Sequence, residues 1–333
     1  MSFNFLYRLS SSSDRSSVEQ EVGASANRSK VSRERTARNA SFLLFTALTF
    51  VFFWVPLSTL IRFSLEQEQY SHIILVPVVS AFLIFRERRW IFCHIEPNIG
   101  KGLGLLFTGI LSYWLGQRKF STLSENDQLT IVILSVVTIW VAGFILCYGT
   151  RALRASLFPL LFLLLMVPIP DFFLSRAIFW LQKASAELSY AMFQFTGVPV
   201  YREGLVFSLP GVDIEIAKEC SGIRSSIALF ITSLLAGYLF LRSRWRRVVL
   251  TLAIFPLLIV KNGLRIVSLT LLATYVDSSF LTGNLHQKGG ILFFVLALFF
   301  LAPVLWLLQR SEAVSPGQKS GRPTSRTEVV VDG

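Results

Sequence analysis

The chain has 333 residues, of which 53% are hydrophobic and 16% charged, with 30 phenylalanines. Soluble domains carry about 25% charged residues interleaved with apolar ones. Here the charges stand in short blocks between long apolar runs, which excludes an ordinary soluble enzyme and a disordered chain and points to a bilayer. The net charge of +12 suits a membrane protein whose cytoplasmic loops retain Lys and Arg, so no nucleic-acid partner is expected.

Residues 1–40 are Ser-rich and hold seven basic residues against four acids. Without the apolar core of a signal peptide, they read as a disordered basic cytoplasmic arm. Eight apolar runs follow, at 41–61, 72–85, 102–117, 129–148, 155–170, 223–241, 248–276 and 290–308. The longer ones cross a hydrocarbon core of ~30 Å at about 1.5 Å per residue. The fold class expected is an all-α polytopic membrane protein of about eight transmembrane helices. The membrane domain is expected over 41–310, with a short disordered cytoplasmic tail over 311–333. With the amino terminus inside, 21 of the 32 basic residues fall on cytoplasmic segments. That bias places both termini in the cytoplasm.

Two stretches break the pattern. Residues 172–197 carry Arg176, Lys183 and Glu187 among apolar residues spaced by three and four (Ala177, Leu181, Ala184, Leu188, Ala191, Phe195). Charges at mid-bilayer are costly, so this predicts an amphipathic helix along the outer surface, after Pro168-Ile169-Pro170 ends the fifth span. Leu205 to Leu209 and Val212 to Ile216 flank Pro210-Gly211. That pattern predicts an outer β-hairpin.

The orientation brings several chemistry-bearing residues to one membrane face. Cys220 stands at the outer start of the sixth span, with Arg224 one turn deeper. Arg265 is 17 residues into the seventh span, about 25 Å along it and so near the outer surface. His286 follows in the next loop and His72 begins the second span. A thiolate is favoured at a helix amino terminus and beside arginine, and a histidine serves as its base and later as acid. Cys, Arg and His on one face read as a thiol acyl-transfer site. Cys147, among Phe144, Ile145 and Leu146, reads as a packing residue, and Cys93-His94 is too small a cluster for a metal site. No zinc, Walker or Gly-x-Ser-x-Gly motif occurs, so no metal or cofactor is expected.

Glu219-Cys220-Ser221-Gly222-Ile223-Arg224-Ser225 resembles the Cys box of the exosortase/archaeosortase family of polytopic membrane proteins. Asn262-Gly263-Leu264-Arg265 resembles its Asn-x-x-Arg box, and His286 falls where bacterial members carry a third active-site residue. Ser71-His72 with Leu75-Val76-Pro77 and Pro168-Ile169-Pro170 resemble two further segments. Ile73-Ile74 departs from a pair that commonly contains Gly. The resemblance implies a cysteine protease/transpeptidase at the outer face of the bacterial inner membrane. It would cleave carboxyl-terminal sorting signals of secreted proteins (a motif, a membrane helix and a basic tail) through a thioacyl intermediate. It implies Cys220 as nucleophile, Arg265 stabilising the thiolate or oxyanion, and His286 as acid/base. Arg224, Glu219 and Asn262 are supporting residues, and His72 stays open as an alternative base. The rival reading is a non-enzymatic transporter or scaffold for exopolysaccharide export.

Overall fold

The computed structural model describes residues 30, 32–93, 95–118, 123–209, 212–216, 222–277 and 284–314, with side chains in the last segment over 291–313 and in the segment 212–216 from 213. It divides into two compact units, Met1–Asp171 and Phe172–Gly333.

The first unit is helical. Helices α1 (Ser32–Phe52) and α2 (Trp54–Glu66) meet at a 72° bend. Then come α3 (Leu75–Ile91), α4 (Ile99–Gly116), α5 (Glu125–Ala155) and the short α6 (Leu157–Leu163). Helix α1 therefore starts inside the segment expected as a disordered arm. The closest pairing is α4 on α5. Gly102, Gly109 and Gly116 repeat every seven residues along α4, and a Cβ on Gly109 would stand 2.7 Å from Ile139 Cγ1. The bare backbone of α4 lets the helices approach, an arrangement suited to lipid, where close packing replaces the hydrophobic drive. An aromatic cluster of Phe42, Trp140, Phe144 and Tyr148 pins α1 to α5.

Where α5 begins, a polar knot holds the chain that follows α6. Asn126 Nδ2 donates to Ile169 O and to Asp171 Oδ1, both at 2.8 Å. Thr130 Oγ1 donates to Pro168 O, and Tyr70 OH lies 3.2 Å from Ile169 O. Asp127 Oδ1 accepts from the Asp171 amide at 2.7 Å. Prolines leave these carbonyls without helical donors, and side chains from α5 supply them.

The second unit begins with α7 (Asp171–Thr196) and a meander of β1 (Tyr201–Glu203), β2 (Val206–Leu209) and β3 (Val212–Glu215). Strand order is β1-β2-β3, all antiparallel, with Leu209 opposite Val212. The expected hairpin is there, and β1 adds a strand that was not expected. Then come α8 (Ile223–Phe240), α9 (Arg244–Leu252), α10 (Ile254–Tyr275) and α11 (Asn284–Val314). Glu312 accepts from the Arg242 and Ser243 amides and pairs with Arg246, which ties α11 to the start of α9.

Among its described residues this unit has two apolar cores. One joins α8, α9, α10 and α11 through Leu229, Leu250, Ile254, Leu258, Ala297 and Leu301. The other joins α7, the sheet and the far half of α10 through Ala186, Phe193, Phe207, Ile216, Ile266 and Val267. Glu187 clamps the sheet to α7 by a two-pronged bond to Arg202, both at 2.9 Å.

Among the described residues, five stretches are long and apolar enough to cross a membrane: Glu68–Ile91, Glu125–Ala155, Ile223–Phe240, Arg244–Tyr275 and Ile291–Ala313. Counting each of two bent pairs as a span raises the number to seven. The all-α polytopic fold is as expected, and five to seven of the eight expected spans meet this criterion among the described residues. The glycine-rich α4, with Lys101 in its first turn, is the one expected run outside both counts. The fifth run is only α6 plus one 3-10 turn, Leu164–Met166.

Helix α7 is a helix as the spacing predicts, but it buries another face. Its buried residues are Leu174, Gln182, Ser185, Ala186, Ser189 and Phe193, and Phe195 is 93% exposed. Gln182 and Ser185 are buried against partners, Ile216 O and Asn262, whereas Ser189 Oγ has none among the described residues.

Candidate active site

Between the two cores of the second unit lies a buried polar layer. Helix α7 contributes Gln182 and Ser185, α10 contributes Lys261 and Asn262, and the start of α8 contributes Gly222, Ser225 and Ser226. Helices α7 and α10 pass from one core to the other through these residues, and α8 runs from them into the core that it shares with α9 to α11. On α10, Leu258 faces one core and Ile266 the other, with Lys261 and Asn262 between them.

Every connection in the layer is specific. Gln182 Nε2 donates to Ile216 O at 2.7 Å, and the Ile216 amide donates to Leu205 O. The end of β3 is therefore held from two sides. Asn262 Nδ2 donates to Ser185 Oγ at 2.9 Å. Lys261 Nζ donates to Ser225 Oγ. Ser225 and Ser226 both turn their hydroxyls back to Gly222 O, at 3.0 and 2.9 Å. Among the described residues Asn262 Oδ1 has no partner.

Gly222 caps α8 in the left-handed region, at φ 68° and ψ 22°. Here both reasons for glycine apply. An L side chain is strained at this φ, by about 1–2 kcal/mol. Its Cβ would also stand 3.0 Å from Asn262 Oδ1 and 3.2 Å from Lys261 Nζ. Gly222→Ala is expected to lower the melting midpoint by a few degrees and to shift the start of α8. Thermal unfolding of the two proteins in the same detergent reads the effect; equal midpoints would show that the glycine is dispensable.

The candidate residues fall as follows. Asn262 is 1% exposed at the centre of the layer. Arg265 is half-buried on α10, one turn beyond Lys261 on the same face. Ten residues, or about 15 Å, separate it from the end of α10 at Tyr275, so it is a mid-helix residue rather than a terminal one. Arg224 is exposed in the first turn of α8. Glu219 and Cys220 lie outside the described residues. His286 is in the first turn of α11, and its side chain also lies outside them. His72 belongs to the first unit, half-buried ahead of α3, with Nδ1 3.2 Å from Gln69 O.

Sequence reasoning missed Gln182, Ser185, Ser225 and Lys261 as partners. Lys261 did carry a signal: it is one of three basic residues inside the apolar runs. The serines carried none, because a hydroxyl in an apolar helix satisfies itself on its own backbone as readily as it serves a site.

A chain of long apolar helices with one small sheet is a multi-pass α-helical membrane protein. The family model of transmembrane exosortases (Exosortase_EpsH) matches residues 64–303, and the chain belongs to that family. No curated protein matches it, and no solved structure does.

Proposed function

We propose that this protein is a membrane-embedded cysteine protease/transpeptidase that cleaves carboxyl-terminal sorting signals of secreted proteins. The observation that carries the reading is the juxtaposition at the start of α8. Gly222 lies against Lys261 and Asn262 of α10, one turn from Arg265. Cys220 precedes Gly222 by two residues, a reach of about 7 Å at most. The family match spans Cys220, Arg265 and His286 together.

The chemistry follows from the residue types. His286 takes the Cys220 proton, and the thiolate attacks the scissile carbonyl carbon. The C–S bond forms as the carbonyl electrons move to oxygen, where Arg265 stabilises the charge. The oxyanion collapses, the C–N bond breaks, and the leaving amine takes the proton from His286. An acceptor, water or an amine, then attacks the thioester as His286 takes its proton; the C–S bond breaks and the thiolate leaves, to regain that proton. The substrate helix enters from the bilayer, and both termini of the enzyme lie in the cytoplasm. The site faces the outer side of the inner membrane. The basic residues of the Arg-Ser-Arg-Trp-Arg-Arg segment, 242–247, support that orientation.

A covalent trap tests the mechanism. The protein is incubated with a tagged substrate carrying a motif, an apolar helix and a basic tail, then quenched in acid. Mass spectrometry is expected to find the new carboxyl end on the Cys220 peptide, released by hydroxylamine. Tail removal with no hydroxylamine-sensitive adduct at Cys220 would overturn the thioacyl route.

A further inference from the structure

Lys261 is a buried charge for which packing offers no reason. It is 3% exposed. Its Nζ donates to Ser225 Oγ, and no carboxylate among the described residues pairs with it. The charge one turn on, Arg265, has the same sign. A buried cation without an anion is costly, and a Leu or Met of similar volume would pack the site more favourably. The ammonium lies 3.2 Å from where a Cβ on Gly222 would stand, at the start of α8. The dipole of that helix adds partial positive charge at the same point. Two independent features thus favour an anion there.

We propose that Lys261 is a positioning residue for Cys220: through Ser225 and Gly222 it holds the first turn of α8, and its charge favours a thiolate on the segment leading into that turn. The inference rests on the reading of Cys220 as nucleophile given above. The mechanical link is continuous. Lys261 donates to Ser225, and Ser225 donates to Gly222 O at 3.0 Å. Gly222 is the N-cap, so α10 sets where α8 begins. The electrostatic link is general: a cation beside a thiol raises the thiolate fraction, and the thiolate is the reacting species.

The test uses the full chain in nanodiscs with Cys93→Ser and Cys147→Ser, leaving Cys220 as the only thiol. Three quantities are measured for Lys261→Met, Lys261→Arg and Ser225→Ala. They are the rate of Cys220 alkylation by iodoacetamide, kcat and KM for tail removal, and the melting midpoint. Lys261→Met is expected to slow alkylation about tenfold, the effect of losing one neighbouring charge. It should lower kcat by a similar factor at nearly unchanged KM. Lys261→Arg restores most of both rates, and Ser225→Ala lowers both by about tenfold, the size of one lost hydrogen bond to a charged group.

Wild-type alkylation in Lys261→Met, or a lowered midpoint with unchanged rates, would overturn the proposal and leave a structural lysine. Should Lys261→Met fail to fold, unchanged alkylation in Ser225→Ala overturns it instead. Alkylation is read on the enzyme alone, so it reports on Lys261 whether or not Cys220 cleaves a substrate. Retained tail removal in Cys220→Ala, by contrast, strikes only the reading of Cys220.

Discussion

Cys220→Ala is expected to stop tail removal, by on the order of a thousandfold or more, with an unchanged melting midpoint. The factor follows from the role: without a nucleophile the covalent route closes, and removing one member of a catalytic unit costs nearly as much as removing all. A thousandfold is about 4 kcal/mol of transition-state stabilisation. Cys220→Ser is expected to fall almost as far. A hydroxyl is a far weaker acid than a thiol, so the features that favour a thiolate do not ionise a serine. The other two cysteines are the controls. Cys93 is exposed with its Sγ on Trp90 O, and Cys147 is half-buried on α5 beside Phe144 and Tyr148. Cys93→Ser and Cys147→Ser are expected to process substrate within about twofold of wild type, as substitutions outside the site usually do. The measurement is the rate of tail loss from a tagged substrate in the native host. Unaltered processing in Cys220→Ala would leave the family membership standing and remove the protease reading.

Gly149→Ala is expected to be the most destabilising small change in the first unit. Helix α5 is broken at this residue, which has φ 84° and ψ 178°. That region is essentially restricted to glycine, and a side chain there costs on the order of 1–3 kcal/mol. Sterics add more. A Cβ would stand 1.7 Å from Glu96 O and 2.5 Å from Glu96 C. Both are backbone atoms of the segment that bridges to Gly149, so no side-chain rotation relieves the clash. A combined cost of about 3 kcal/mol or more is expected, enough to lower the melting midpoint by on the order of 5 °C. The control lies at the same place. Arg151 pairs with Glu96 at 2.6 Å, but the two side chains are 60% and 61% exposed. Arg151→Ala is expected to cost less than about 1 kcal/mol, because solvent screens such a pair. Thermal unfolding of both variants in one detergent gives the contrast. Equal shifts would mean that the charge, not the backbone approach, holds this loop.

The difference between these two positions also explains what could be read from the sequence. The apolar runs predicted α3, α5, α8 and α10 because a long stretch without charge has few options in water or lipid. The hairpin was legible from alternation around Pro210-Gly211, and β1 was not, since Tyr201-Arg202-Glu203 has no apolar alternation. Its place depends on pairing with β2 and on the clamp from Arg202 to Glu187. The buried face of α7 was misread because apolar spacing was taken as the guide. Gln182 and Ser185 are buried there, against Ile216 O and Asn262. No local rule distinguishes those two from the solvated polar residues of the same helix. Asn262 and Arg265 stood out as polar residues in an apolar run, and the partners of Asn262 did not.

Composition and charge order by themselves determined that this chain is a polytopic membrane protein. The order of its short motifs determined its family, since unbroken apolar length and motif spacing are properties of the chain alone. Only the tertiary structure decided that α8 starts on a glycine wedged against Lys261 and Asn262. Only it showed that a polar layer divides the second unit into two cores. A buried polar group is stable only with a partner in reach, and which residues become partners is set by helices that lie up to 77 residues apart in sequence.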